Sequence, residues 1–364
     1  MQRPFPFPIR HAMVCLFAIA ISMESQATAE QGAFLPEASI GSADGGLTYN
    51  WIVPKSRDYR LYLPKGYVQG KPKPLVVMLH GCRQDPENFA AGTRMNRLAD
   101  EHGFLALYPG QSVLANGYSC WNWFDPRTQA RGGEAAIVMA MVDDVVRRYG
   151  VDTDRIYVAG ISAGGAFSAI LASCYSDVFA AAAVHSGFPY GVADNPISGM
   201  RAMEKAYPYD AEKSGKAAFE CRGSGRRAMP MLVLQGSADD KVLPKAAGDV
   251  IKQFAQLEDY CDDGKDNDSA TSTQLVKESL PAKPGEQHAY AVSTLTRDGK
   301  PVLREVMVTG LAHAWSGGDD GRMNPGDKVK YPYNDPLGPD ASRMIWSFFS
   351  QHTLSGNAAC AVRQ

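Results

Sequence analysis

The sequence carries no excess charge of either sign. Its 37 Lys and Arg stand against 39 Asp and Glu, a net charge of -2, which leaves no electrostatic footprint for nucleic acid or an anionic membrane. No run reaches the ~20 apolar residues that a membrane span needs. No cysteines are spaced CxxC and no histidines HxxxH, so neither a zinc site nor any other metal site is expected. Internal repeats and Pro-Thr linkers are also missing. The stretch 262–268 is acidic but lacks the residue order and distal glutamate of a calcium loop, and reads as a solvated turn.

What is present begins with an address. Arg3, Arg10 and His11 precede an apolar run over 12–21, and Ala27-Thr28-Ala29 follows with small residues. This is the pattern of a signal peptide over 1–29 cut near Ala29, which implies export to the extracellular space or the periplasm. Residues 30–364 are then expected to form one domain, with hydrophobic content of 45% and charged content of 21% typical of a globule. Cys15 falls in the signal segment, and Cys82, Cys120, Cys174, Cys221, Cys261 and Cys360 remain. An even number in an oxidising compartment suggests disulfides, with about fifteen possible pairings.

Within 50–67, Tyr59, Leu61 and Leu63 alternate before Pro64-Lys65-Gly66, as in an antiparallel strand closed by a turn. Short apolar runs of the buried-strand kind follow at 75–79, 104–108, 156–159, 181–184, 231–234 and 306–308. Between them lie helical patterns. The clearest spans 133–149 and stops at Gly150, and the last covers 341–352. Such alternation predicts an α/β fold with a mostly parallel sheet covered on both faces. Two polar stretches, 194–227 and 259–287, break the rhythm and read as insertions on the loop face.

The run 156–159 leads into Gly160-Ile161-Ser162-Ala163-Gly164-Gly165 and then into a helix-compatible stretch. This is G-x-S-x-G in a strand-turn-helix setting, where a sharp turn exposes a nucleophilic serine and tolerates no side chain at Gly160 or Gly164. A serine hydroxyl needs an imidazole base oriented by a carboxylate, in the chain order serine, acid, histidine. That order leaves His288, His313 and His352, of which His313 follows a strand in a loop, where a base belongs. The acid should follow the strand at 231–234, where Asp239 and Asp240 compete. The oxyanion needs two backbone N–H donors. Ala163 supplies one, and the loop His80-Gly81-Cys82-Arg83-Gln84 the other, with Cys82 the candidate.

Five ordered motifs, Leu79-His80-Gly81-Cys82, Cys120-Trp121-Asn122-Trp123-Phe124, the serine turn, Gly236-Ser237-Ala238-Asp239 and His313-Ala314-Trp315-Ser316-Gly317-Gly318, resemble the polyhydroxybutyrate depolymerase family of esterases. The resemblance spans about 57–349. It implies the α/β-hydrolase fold, a triad of Ser162, Asp239 and His313, an oxyanion donor at Cys82, a Cys82–Cys120 disulfide and no cofactor. Trp121, Trp123 and Trp315 are then candidate substrate-binding aromatics, the alternative being core packing. Gln235 stands where relatives often carry histidine, and is expected to leave the triad untouched. The family's enzymes for crystalline polyester carry a linker and a binding domain, which this sequence lacks after its last helix. The expected substrate is therefore an ester in 3-hydroxybutyrate oligomers or amorphous polymer, or else an acetyl or feruloyl ester of a polysaccharide. A peptidase and a noncatalytic protein on the same scaffold are the rivals.

Overall fold

The computed structural model describes residues 32–41, 56–203, 207–223 and 225–361. The expected signal segment over 1–29, with Cys15, lies outside the described residues, as does the start of the strand expected within 50–67. Ten strands form one sheet: β1 (Ala33–Gly41), β2 (Ser56–Leu63), β3 (Lys73–Leu79), β4 (Leu105–Pro109), β5 (Val151–Ile161), β6 (Ala181–His185), β7 (Met231–Gly236), β8 (Val276–Leu280), β9 (Tyr290–Arg297) and β10 (Lys300–Val308). Their order is β1-β2-β4-β3-β5-β6-β7-β10-β9-β8. From β4 to β10 neighbouring strands are parallel, while β1 and β2 at one edge and β9 and β8 at the other are antiparallel.

Parallel strands must be covered on both faces, and successive side chains point to opposite ones. In β3, Leu75, Val77 and Leu79 join one core, while Val76 and Met78 join the other. The first core is closed by α3 (Gly133–Tyr149), α4 (Ala163–Cys174) and α7 (Lys245–Asp263), through Val138, Phe167 and Phe254. The second is closed by α1 (Pro86–Thr93), α2 (Met95–His102) and α8 (Ala341–Phe349), through Phe89, Leu98 and Phe348. All six apolar runs fall on strands of the parallel part. Helix α3 has its expected bounds and ends on Gly150 at φ 62, a conformation glycine adopts without strain.

The polar stretch 194–227 contains two helices, α5 (Pro196–Ala202) and α6 (Ala211–Cys221). Their N-termini are satisfied by Asn195 and Asp210, whose side chains accept first-turn N–H groups. The stretch 259–287 begins inside α7 and ends beyond β8, an exposed edge strand whose polar composition hides its pairing with β9. Two short strands, β11 (Trp315–Ser316) and β12 (Asn334–Asp335), pair beside the loop that carries His313.

Candidate active site

Ser162 sits between β5 and α4 at φ 57 and ψ -123, a left-handed turn that a non-glycine residue adopts only when its surroundings enforce it. Its N–H donates to His185 O at 3.0 Å, continuing the β5–β6 ladder. The flanking glycines leave room for this turn. A Cβ on Gly160 would lie 2.4 Å from Gly164 O, and one on Gly164 would lie 2.1 Å from Leu79 O. The serine is thus held at the C-terminal end of β5, above the N-terminus of α4, whose dipole favours negative charge.

Asp239 follows β7 and His313 follows β10, the parallel neighbour of β7, so both arise at the same end of the sheet as Ser162. His313 Nδ1 donates to Asp239 Oδ2 at 2.8 Å. Oδ2 also accepts from Gln235 Nε2 at 3.1 Å, and Oδ1 accepts from the N–H groups of Lys241 and Val242, each at 2.9 Å. Burial pushes the Asp239 carboxyl up, but the His313 hydrogen bond and charge, with the two backbone donors, outweigh it and hold the group below its ordinary value. Asp240 is exposed and pairs with Lys241, so the two adjacent aspartates have separate environments. With Nδ1 committed to the carboxylate, His313 keeps Nε2 for another partner. Among the described residues no hydrogen bond joins it to the Ser162 hydroxyl, a contact that commonly tightens only around a substrate.

The loop after β3 leans on the serine: a Cβ on Gly81 would lie 3.2 Å from Ser162 Cβ. Gly81 N–H donates to Gln84 Oε1 at 2.8 Å, and His80 Nδ1 to Gly81 O at 2.8 Å. His80 Nε2 accepts from Gln111 N–H at 3.1 Å. Burial lowers the His80 pKa, in keeping with a neutral ring that both donates and accepts. Among the described residues the N–H groups of Cys82 and Ala163 have no acceptor, as an oxyanion site requires. Behind the loop, Cys82 is bonded to Cys120. Gln111 Nε2 donates to Cys120 O at 2.9 Å and to Glu134 Oε1 at 2.6 Å, and Glu134 pairs with buried Arg57 at 3.2 Å.

Three departures from the sequence expectations concern side chains. Trp121 and Trp315 have relative exposures of 0% and 1% and pack inside the protein, so neither offers a surface to a substrate. Trp121 lies against His80 and Phe167, and Trp315 stacks on His185 with its Nε1 donating to Ser342 Oγ. Trp123, stacked on Phe188, retains 6%. Finally, Gln235 does reach Asp239, and its buried carboxamide also donates to Val242 O at 2.8 Å. Sequence reasoning noted this residue without its contact to Asp239, and missed Gln111, Glu134 and His185; for Gln235 and His185 the available signal was a polar residue closing a buried strand. The remaining cysteines pair as Cys174–Cys221 and Cys261–Cys360. A groove of about 600 Å³ lies on the β8–β9–β10 wing, lined by Val276, Leu280, Tyr290, Val292, Arg304 and Met344, and contains none of the candidate residues.

Against known proteins, the family described as esterase PHB depolymerase matches residues 57–277, which include Cys82, Ser162 and Asp239, with His313 beyond. Poly(3-hydroxyalkanoate) depolymerase C of Paucimonas lemoignei is 30% identical over 242 residues, 66% of this chain and 54% of that protein. Feruloyl esterase B of Neurospora crassa is 31% identical over 192 residues, 50% of this chain and 64% of that protein. The chain thus spans between half and two thirds of the length of these relatives. An acetyl xylan esterase from Aspergillus awamori shares the fold, with a TM-score of 0.61 at 18% identity, over 86% of this chain and 99% of that one. With the family match spanning more than half of its length, this chain belongs to the PHB depolymerase family of esterases.

Proposed function

We propose that this protein is an exported serine esterase that cleaves carboxylic esters through an acyl-enzyme. The observation that carries the reading is the Asp239–His313 hydrogen bond of 2.8 Å at the sheet end that also presents Ser162 in its glycine turn. His313 Nε2 takes the Ser162 proton as Oγ attacks the ester carbonyl, and the N–H groups of Cys82 and Ala163 receive the oxyanion. The protonated imidazole gives its proton to the departing alcohol. Water, deprotonated by His313, then attacks the acyl carbonyl, and Ser162 leaves with the proton. Asp239 fixes the imidazole tautomer and stabilises the imidazolium throughout.

The favoured substrates are soluble 3-hydroxybutyrate oligomers or amorphous polyhydroxyalkanoate, a reading supported by the depolymerase relative from Paucimonas lemoignei. Exposed Val113, Leu114 and Tyr118, in the loop that Arg83 N–H ties to the oxyanion segment, give an apolar rim suited to such chains. The feruloyl esterase relative supports a second reading, an acylated polysaccharide. Export through a signal peptide over 1–29, with a single catalytic domain following it, agrees with three disulfides and with an oxidising destination.

Replacing Ser162 with alanine should abolish p-nitrophenyl butyrate hydrolysis and labelling by a fluorophosphonate. Undiminished turnover in Ser162→Ala would remove the assignment, and an unlabelled wild type would favour a noncatalytic protein. Turnover of 3-hydroxybutyrate oligomers against acetylated xylan and methyl ferulate separates the two substrate readings, and matched ester and amide substrates separate esterase from peptidase.

A further inference from the structure

His185 is the C-terminal residue of β6 and is wholly buried, yet it has no part in the triad. Two of its polar contacts reach separate parts of the site, and a third fixes its ring. Its backbone oxygen accepts the Ser162 N–H at 3.0 Å. Its Nε2 accepts the backbone N–H of Ser316, three residues past His313, at 3.2 Å. Because that partner can only donate, the ring's proton belongs on Nδ1, which lies 3.1 Å from Ser186 Oγ and donates to it. The flat face of the ring stacks on Trp315 at 5.1 Å and 22°.

The loop bearing His313 is anchored elsewhere as well. Ala238 N–H donates to Leu311 O at 3.0 Å, tying it to the acid loop, and Ser316 Oγ donates to Pro339 O at 2.7 Å. Of these anchors, the one through His185 runs to β6, whose last backbone oxygen accepts the Ser162 N–H at the end of the neighbouring β5. The segment leaves no slack, since Ser186 is at φ 47 and a Cβ on Gly187 would lie 2.6 Å from Gly165 C in the serine turn.

We propose that His185 is a positioning residue that sets the distance between Ser162 and His313, by holding the serine turn through its backbone oxygen and the base loop through Nε2. The role requires a neutral ring, because a proton on Nε2 would face the Ser316 N–H. Burial, with the neighbouring His313 charge, holds the His185 pKa down to about 3, so the ring stays neutral while His313 acts. The inference rests on the reading of Ser162 and His313 as nucleophile and base.

The test compares His185→Phe, which keeps an aromatic face but has no acceptor, with His185→Gln, whose Oε1 can occupy the place of Nε2. In H185F, kcat on p-nitrophenyl butyrate should fall about 100-fold, the scale of a displaced catalytic group, with KM changed by less than about threefold. The acid limb of the kcat/KM profile should shift, and the downfield proton signal of the His313 Nδ1–H bonded to Asp239 should broaden or vanish. H185Q should recover most of the activity and the signal. If H185F does not fold, His185→Asn, whose amide stops short of Ser316, replaces it with the same expectations. Wild-type turnover and an unchanged signal in H185F, or equal impairment in H185Q, would overturn the proposal. The proton signal is read without substrate, so a wild type that fails to turn over or to react with a fluorophosphonate would sink the esterase reading separately.

Discussion

On the proposed oxyanion side of the site, Cys82 is tied covalently to Cys120, and the segment around Cys120 rests on a buried ion pair between Arg57 and Glu134. On the acid–base side, Asp239 and His313 are held by uncharged groups: the Gln235 amide, the backbone N–H groups of Lys241 and Val242, and the neutral ring of His185 against the loop after the base. The difference follows from what each side must do. Oxyanion donors are backbone groups that never change charge, so a fixed charge behind them does no harm. In the proposed mechanism the base gains and loses a proton in each cycle, and a further charged brace beside it would bias that equilibrium. Only the oxyanion side should therefore respond to reduction, while acid bears on the acid–base side through His185 and on the oxyanion loop through buried His80.

The largest effect is expected from the acid itself. Asp239 accepts four hydrogen bonds, two on each oxygen. In Asp239→Asn an NH2 group must face donors on one side or the other, or His313 must turn its proton to Nε2, away from its working tautomer. Either way, kcat should fall about 10⁴-fold, as for a triad acid made neutral. Asp240→Asn, altering an exposed side chain paired with Lys241, should leave kcat within about twofold. Steady-state kinetics of the two variants on p-nitrophenyl butyrate test the choice between adjacent aspartates.

Next comes the ion pair. Glu134 accepts from Arg57, Gln111 and Asn122, and its side chain is 8% exposed. Glu134→Gln keeps the shape, removes the charge and leaves Arg57 buried against a neutral amide, so unfolding in urea should show a loss of roughly 3–5 kcal/mol. The double variant Cys82→Ser with Cys120→Ser should cost somewhat less, about 2–4 kcal/mol for the 38-residue separation it frees. Because the N–H of residue 82 survives, its kcat should fall by less than the ~100-fold of deleting an oxyanion donor. A larger fall would mean that the disulfide also sets the position of that donor.

The parallel half of the fold was legible because buried strands must be apolar throughout, and 75–79 and 231–234 are apolar with little to confuse them. The serine turn was legible for a steric reason, since backbone carbonyls crowd Gly160 and Gly164 and no other residue fits. The β8–β9 wing was not, because an antiparallel edge needs no continuous apolar run and Val276-Lys277-Glu278-Ser279-Leu280 carries two charges in five residues. The tryptophans stayed open between cleft wall and core for a related reason: an indole has the same composition in either place, and only burial tells them apart. Gln235 and His185 lie at strand ends as isolated polar residues. Their meaning depends on partners several to more than a hundred positions away, which no local pattern encodes.

The smallest effect separates the two sides by pH. His185 is held down to about 3 and His352 to about 4, in each case first by burial. Both are neutral in the folded protein and take up protons near their ordinary value of 6.5 when unfolded. The unfolded state therefore binds more protons below about 6.5, and stability falls as the pH drops from there towards 3–4, while above 6.5 it is flat. From pH 7 to pH 6 the two groups together should cost about 1.4 kcal/mol. The lowered Asp239 carboxyl acts in a separate, more acidic window, its contribution being lost as the pH falls from 3.8 through its folded value. Buried His80, also lowered, adds to the loss in the same direction, so urea unfolding at pH 7, 6 and 5 should give a slope that H185F reduces by the share of His185 without abolishing it, because phenylalanine has no proton to gain. The Cys82→Ser, Cys120→Ser variant should keep the full slope at a lower baseline. If both variants keep the same slope, the neutral brace is not what makes the acid–base side sensitive to acid.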